Sequence, residues 1–164
     1  MDRVSITLVP EYDRAVLDDM AQTYFAELLP DGPEIYPSVL DQYWAEEGGF
    51  AYLIDWAGVP IGFALVRVKP DASHELTEFT ILQNMRQKGL GAEAAQKIFR
   101  KHPGLWTLGV ASKSPGARKF WQHCLNQPCW IADVTEGPPG SAHQICSFSF
   151  VANHHPTNDR KGQE

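Results

Sequence analysis

"MRQKGLGAEAAQKIF", residues 85–99, decides the fold prediction because two cations and two glycines stand directly before an alanine-rich helical pattern. The apolar residues of this pattern recur at the spacing of one helix face: Leu90, Ala94, Ala95, Ile98 and Phe99. The first turn of such a helix offers unpaired backbone N–H groups, and Arg86 and Lys88 add full positive charges beside them. The stretch therefore predicts a glycine loop and a helix start that bind an anion.

Upstream of the loop, three β patterns follow one another with short links. "FAYLIDWAGVPIGFALVRVKP", residues 50–70, indicates two strands around a turn, and residues 73–82 form a third. Short links of this kind are typical of an antiparallel meander. A β-rich run at 4–10 and two helical patterns, at 11–30 and 37–49, precede the meander.

Downstream of the loop, the pattern alternates again. A strand at 105–112 leads to a helix at 114–125, for which Ser114 is the expected N-cap and Pro115 the first helical residue. Two last strands follow at 129–136 and 143–151. The order β-α-α-β-β-β-α-β-α-β-β predicts an α/β fold: one domain, 1–152, with a mixed, mostly antiparallel central sheet and helices on both faces. Residues 153–164 read as a disordered polar tail.

Composition excludes several classes of protein. The net charge of −6 and the lack of a basic cluster argue against nucleic acid as a partner. No apolar run approaches the roughly 18 residues of a membrane span, and no apolar signal segment opens the chain. The three cysteines lack CxxC spacing, which argues against a disulfide framework and a zinc site. We expect a cytoplasmic protein that binds no metal, no membrane and no nucleic acid.

Three kinds of phosphate-binding loop compete for the glycine stretch. No string fits the P-loop pattern GxxxxGK[ST]. "GLGAEA", residues 89–94, fits the dinucleotide pattern GxGxxA, but no acid follows about 20 positions on, and the preceding strands are antiparallel. The string from Arg86 to Gly91 fits [R/Q]xxGx[G/A], the pyrophosphate-binding turn of acetyltransferases. This third pattern accounts for most of the stretch.

On these residues and the element order, the chain resembles the GNAT superfamily of N-acetyltransferases over residues 4–151, and in "EFTILQNMRQKGLG", "PGLWTLGVAS" and "ARKFW" it is most similar to a bacterial branch of predicted acetyltransferases. The resemblance implies acetyl-CoA as a co-substrate. We expect it to be bound by the strand end, the loop and the later helix, through Ile81, Leu82, Arg86, Gln87, Lys88, Gly89, Leu90, Gly91, Ala92, Ser114 and Arg118.

The implied reaction moves an acetyl group from a thioester to an amine, by direct attack within a ternary complex. The amine must lose a proton before it attacks, so the site needs an acceptor for that proton. Glu75 and Glu78 are the candidates; on a regular strand they face opposite sides, so only one points into the cleft. Trp121 stands where many members of this superfamily place a tyrosine that protonates the leaving thiolate, which leaves the general acid open.

The first two helical patterns, which we expect to form the acceptor side of the site, predict a cationic amine as the acceptor. Acidic residues interleave with aromatic ones across the first two helical patterns, a mixture that suits a polyamine, an amino sugar or a lysine side chain. The alternative is a non-catalytic acyl-CoA-binding or regulatory module on the same fold, which the missing tyrosine would favour. A homodimer and a monomer both stay open.

Overall fold

The computed structural model describes residues 3–32 and 35–153. Within them the elements follow the predicted order: β1 (Val4–Leu8), α1 (Ala15–Leu28), α2 (Gln42–Ala45), β2 (Gly49–Trp56), β3 (Val59–Val68), β4 (His74–Ile81), α3 (Leu90–Lys101), β5 (Gly104–Ala111), α4 (Ala117–Asn126), β6 (Ile131–Gly137) and β7 (Gln144–Ala152). The predicted polar tail lies, from residue 154 onwards, outside the described residues.

The strands form one sheet in the order β1-β2-β3-β4-β5-β7-β6. Strands β1 to β4 pair as an antiparallel meander, and β5, β7 and β6 pair antiparallel as well. Between these two groups, β4 and β5 run parallel, because α3 carries the chain back across the sheet. The predicted mixed, mostly antiparallel sheet is confirmed.

Helices cover both faces of the sheet, as predicted. Neighbouring residues of β3 show the division: Leu65 packs with side chains of α1 and α2, whereas Val66 packs with side chains of α3 and α4. Successive residues of a strand point to opposite faces, so the nearly continuous apolar run of β3 is buried on both sides. The larger core centres on Trp106, which is fully buried and stacks on Phe150. Burying each such side chain stabilises the fold by roughly 1.5–3 kcal/mol.

Two helices differ from the sequence prediction. Residues 37–49 form a 3-10 turn, Pro37–Leu40, followed by the short α2, rather than one helix. The helix predicted from Ser114 begins only at Ala117, because Gly116 has a φ of 80° and ends any helical run on its N-terminal side. Ser114 is therefore not the N-cap; its carbonyl accepts a turn hydrogen bond from Ala117 N–H. No helix among the described residues is long and apolar enough to cross a membrane.

Candidate active site

A cavity of about 480 Å³ opens where β4 and β5 separate. The two strands pair only at three positions, from His74 with Trp106 to Leu76 with Leu108. Beyond that point β5 continues to pair with β7, while β4 continues to pair with β3. The gap between them runs through the sheet. Side chains of α1 line it on one face, and side chains of α3 and α4 line it on the other.

The backbone of β4 presents polar groups to this gap. Leu82 N–H donates to the Ile61 carbonyl of β3. Along an antiparallel pair the hydrogen-bonded positions alternate, so the N–H groups of Phe79 and Ile81 point away from β3 and towards the gap. The Ile81 carbonyl also points there, because it accepts a 2.7 Å hydrogen bond from Arg86 Nε. The edge of β4 can therefore pair with an extended ligand.

The glycine loop turns sharply before α3. Gln87 and Gly89 have φ angles of 63° and 77°, in the left-handed region that glycine adopts most easily. Gly91 serves a different purpose: a Cβ atom there would lie 3.2 Å from the Phe120 ring, on the cavity wall. A side chain would fill the space beside the first free N–H groups of α3. The structure thus places the predicted glycine loop directly before a helix start, and anion binding there stays a prediction.

Arg86 lies between the loop and α1. Its Nη2 donates to Glu27 Oε2 at 3.0 Å, and the guanidinium also contacts the Thr80 hydroxyl. Lys88, the second predicted cation, is exposed and outside the cavity lining, and its carbonyl accepts a hydrogen bond from Arg3. Of the two predicted cations, Arg86 is the one that lines the cavity.

Glu78 is the carboxylate of the cavity. It accepts a 2.5 Å hydrogen bond from the Tyr24 hydroxyl on α1. Burial raises the pKa of Glu78 from 4.5 to about 7; the Tyr24 hydrogen bond opposes this rise, and the charge of Glu75 adds to it. Burial and the nearby Glu78 charge also raise the pKa of Tyr24 well above 10, so the phenol stays protonated and donates. A carboxyl with a pKa near neutrality is suited to general base catalysis.

Glu75 and Glu78 share one face of β4, and the prediction that they face opposite sides is wrong. Glu75 pairs with Arg67 and Glu78 pairs with Leu65, and these two partners lie two apart on β3. A bulge at Thr77 adds one residue between the glutamates and restores a common direction. Glu75 nevertheless lies outside the cavity lining, 3.3 Å from Lys69 Nζ. The two glutamates therefore point to the same side of the sheet, but only Glu78 lies in the cavity lining.

Aromatic side chains of α4 close the cavity on the side opposite α1. Trp121 is buried, with 6% of its surface exposed, and packs edge-on against Phe79 at 5.3 Å between ring centroids. Phe120 stacks on the same Phe79 ring and borders Gly91. The indole of Trp121 thus lines the cavity and also belongs to the core.

The remaining predicted residues divide into two groups. Seven of the predicted CoA contacts line the cavity: Ile81, Arg86, Gln87, Gly89, Gly91, Ala92 and Ser114. The other four do not. The Leu82 N–H is already bonded to β3, and Leu90 is buried in the core. Lys88 is exposed, and Arg118 donates to both carboxylate oxygens of Glu136, at 2.7 and 2.8 Å.

Two side chains of the cavity have contacts that the sequence does not predict. Tyr24 and Glu27 lie in the first helical pattern, on the acceptor side, and their contacts with Glu78 and Arg86 join positions 54 and 59 residues apart. The available signal was their spacing of three on α1, which puts both on one helix face. Among the described residues, no group of three or more His, Cys, Asp or Glu side chains could hold a metal ion.

Comparison with solved structures of other proteins finds the same fold. The fold is similar to an acetyltransferase from Thermus thermophilus, with a TM-score of 0.69, 16% identity, and 90% of this chain and 96% of that chain covered. It is also similar to spermidine N-acetyltransferase from Vibrio cholerae in complex with CoA and spermine, with a TM-score of 0.67, 10% identity, and 92% and 96% covered.

A third similar structure is a GNAT family acetyltransferase from Elizabethkingia anophelis with acetyl-CoA bound, with a TM-score of 0.59, 14% identity, and 94% and 100% covered. No curated protein sequence matches the chain. The narrower bacterial branch stays a prediction. The sequence profile described as Acetyltransferase (GNAT) family matches residues 14–125. Because this match spans more than half of the sequence, the chain belongs to the GNAT family of acetyltransferases.

Proposed function

We propose that this protein transfers the acetyl group of acetyl-CoA to an amine, by direct attack in a ternary complex. The observation that carries the proposal is the convergence of three features in one cavity. These are the open edge of β4, the glycine loop at the start of α3, and Glu78 with a pKa near 7. Each would serve acyl transfer from CoA to an amine: the strand edge would bind the acyl arm, the glycine loop would bind the pyrophosphate, and Glu78 would act as the base.

The donor side fits acetyl-CoA. The N–H groups at the start of α3, beside Gly91, would hold the pyrophosphate, because the missing Cβ leaves room beside the Phe120 ring. The open edge of β4 would pair with the pantetheine arm. One of the two N–H groups of Phe79 and Ile81 would then donate to the acyl carbonyl, where negative charge develops, and the other would donate to the pantetheine arm. Acetyl-CoA supplies the activated acyl group, and these residues orient it.

Glu78 would accept the proton of the amine, directly or through water. Its pKa of about 7 keeps a large fraction ionised at neutral pH while leaving it basic enough to accept a proton. The Tyr24 hydrogen bond fixes the direction of the carboxylate. Glu75 would contribute through its charge, because it raises the pKa of Glu78 without lining the cavity.

The thiolate would leave without a protein acid on α4, because the indole of Trp121 is not a useful proton donor near neutral pH. A thiolate is a fair leaving group, since thiol pKa values lie far below those of alcohols. Water would supply the proton to the departing thiolate.

The acceptor would be a cationic amine. Glu27 and Glu78 both line the α1 side of the cavity, and Tyr24 adds an aromatic ring. The similar Vibrio cholerae enzyme, whose structure contains spermine, supports a polyamine among the alternatives. A cytoplasmic location and the choice between monomer and homodimer stay predictions from the sequence.

A thiol-release assay with acetyl-CoA and a panel of amines tests this function. The panel would include polyamines, amino sugars and lysine peptides, and we expect amine-dependent release of CoA. Tight binding of CoA with no release over the whole panel would instead support the non-catalytic module, which Trp121 in the usual tyrosine position favours.

A further inference from the structure

Arg86 joins the two sides of the cavity through one guanidinium. Its Nε donates to the Ile81 carbonyl at 2.7 Å, at the open edge of β4. Its Nη2 donates to Glu27 Oε2 at 3.0 Å, on α1. Glu27 follows Tyr24 by three residues, so both side chains lie on the α1 face that lines the cavity. Arg86 thus connects the strand before the anion loop with the helix of the acceptor side.

The two carboxylates on the α1 side have different partners. Glu78 is bonded to a neutral phenol and stays available as a base. Glu27 is paired with a full positive charge, so an incoming amine meets a neutralised group there. The side chains of Arg86 and Glu27 are 40% and 38% exposed. Exposed ion pairs of this kind are weak and exchange easily for a stronger partner.

We propose that Glu27 is an acceptor-binding residue whose charge Arg86 masks until the pyrophosphate of CoA binds and draws Arg86 away. This inference rests on the proposed function, because it requires CoA at the glycine loop. A pyrophosphate offers the guanidinium a bidentate, doubly charged partner, and the helix start beside it already favours anions. The freed carboxylate of Glu27 then faces the acceptor side with a full negative charge.

The freed charge selects a class of acceptor. One amino group of the acceptor must be near Glu78, where it loses a proton and attacks. A second, protonated amino group can then pair with Glu27, one helical turn from Tyr24. A linear polyamine carries both groups, whereas a monoamine gains nothing from Glu27. A site that binds one amino group near Glu78 and a second, protonated one at Glu27 therefore prefers polyamines to simple alkylamines.

Coupling between the two ligands follows. If CoA frees Glu27 for the polyamine, then the polyamine must raise the affinity for CoA by the same factor. Glu27 also competes with CoA for Arg86, so removal of the Glu27 carboxylate should raise the affinity for CoA. Both effects are measured as dissociation constants, so the physiological acceptor need not be known.

Calorimetry with spermidine tests the inference on wild type, Glu27→Gln and Asp19→Asn, each with and without saturating CoA. Asp19→Asn is the matched control, because it removes the same charge from an exposed position of α1 outside the cavity. In wild type and Asp19→Asn we expect CoA to tighten spermidine binding several-fold. In Glu27→Gln we expect no such coupling, and roughly two- to fivefold tighter binding of CoA alone. Propylamine should show no dependence on Glu27.

Three results would overturn the inference: no coupling in wild type, the same coupling in Glu27→Gln as in wild type, or no spermidine binding to the CoA-loaded protein. A wild-type protein that binds no CoA at all would contradict the proposed function instead. The CoA titration of the wild type therefore separates the two failures.

Discussion

Tyr24 and Glu78 lie 54 positions apart in the chain and share a 2.5 Å hydrogen bond in the wall of the cavity. The pair links α1 to β4, whose edge is open where β5 separates from it. Its chemistry is asymmetric, because the phenol stays protonated while the carboxyl titrates near neutral pH. On the mechanism proposed above, the pair would make the reaction sensitive to pH in a defined direction.

Glu78→Gln should lower kcat/KM by ~10²-fold and leave the affinity for acetyl-CoA unchanged, because the amide cannot accept the proton of the amine. In the wild type, kcat/KM should rise with pH through about 7, as Glu78 ionises, and then level off. Steady-state kinetics across pH 5.5–9 would measure this. Glu75→Gln is the control; because it removes a charge that raises the pKa of Glu78, it should move the acid limb to lower pH with little loss at the plateau.

Tyr24→Phe should move the acid limb of the pH profile to higher pH. The phenol donates to the Glu78 carboxylate and so favours its charged form, and removal of this donor raises the pKa of Glu78 above its present value. The plateau rate at high pH should stay within a few-fold of wild type. A limb that stays in place, or moves to lower pH, would show that Tyr24 does not tune this carboxyl.

Gly91→Asp should weaken acetyl-CoA binding strongly, because the new carboxylate would project beside the predicted anion site and repel the pyrophosphate. Gly91→Ala separates size from charge: its Cβ needs the Phe120 ring to shift by only a few tenths of an ångström. We expect a small loss for Gly91→Ala and a large loss for Gly91→Asp in calorimetry. Equal affinities for Gly91→Asp and wild type would mean that the anion binds elsewhere.

His102 should make the fold sensitive to acid, away from the cavity. It contacts the Tyr52 hydroxyl through Nε2 at 2.7 Å, and burial lowers its pKa from 6.5 to about 4. The unfolded chain then binds a proton below pH 6.5 that the folded chain does not, so the contribution of His102 to stability falls between pH 6.5 and 4 and changes no further below that. Glu78 acts in the opposite direction, because its raised pKa makes the folded chain bind a proton between pH 7 and 4.5 that the unfolded chain does not. The loss due to His102 should reach about 1–3 kcal/mol, since the ring is only partly buried.

Urea unfolding at pH 7.5 and 4.5 would measure this loss as the difference between the wild type and His102→Gln, because Glu78 contributes equally to both. His102→Gln keeps an acceptor for Tyr52 and should lose less stability than the wild type on going to pH 4.5, while His143→Gln, at an exposed position, should keep the slope of the wild type. A wild-type slope in His102→Gln would assign the acid sensitivity to other groups.

Trp121 should act by packing and not by proton donation. Trp121→Phe should keep most of the activity, and Trp121→Ala should cost ~3–5 kcal/mol of stability, because the ring is buried among Phe79, Phe99 and Phe120. Trp121→Tyr is the more informative variant. A higher kcat with a new alkaline limb would show that thiolate protonation limits the wild type, contrary to the mechanism proposed above.

Sequence patterns were sufficient for the order of the elements, both covered faces and the glycine loop, because these features depend on local periodicity. They failed where distant segments decide the geometry. The bulge at Thr77 reflects pairing with β3, and it alone placed Glu75 and Glu78 on one face. The partners of Glu78 and Arg86 come from α1, more than 50 positions away. Such contacts depend on how α1 lies against the sheet, and the periodicity of a single sequence does not predict that packing.

The three-position pairing of β4 with β5 also has a mechanical meaning. It is a seam between two half-sheets, β1–β4 and β5–β7, and beyond Leu76 no backbone hydrogen bond of the described strands crosses it. An acetyl-CoA arm lying along the open edge of β4 would act as a surrogate strand and extend the seam. Substrate binding would then complete the sheet, so the amide hydrogens of Phe79 and Ile81 would exchange with solvent more slowly in the loaded enzyme, and the melting temperature would rise with the concentration of acetyl-CoA.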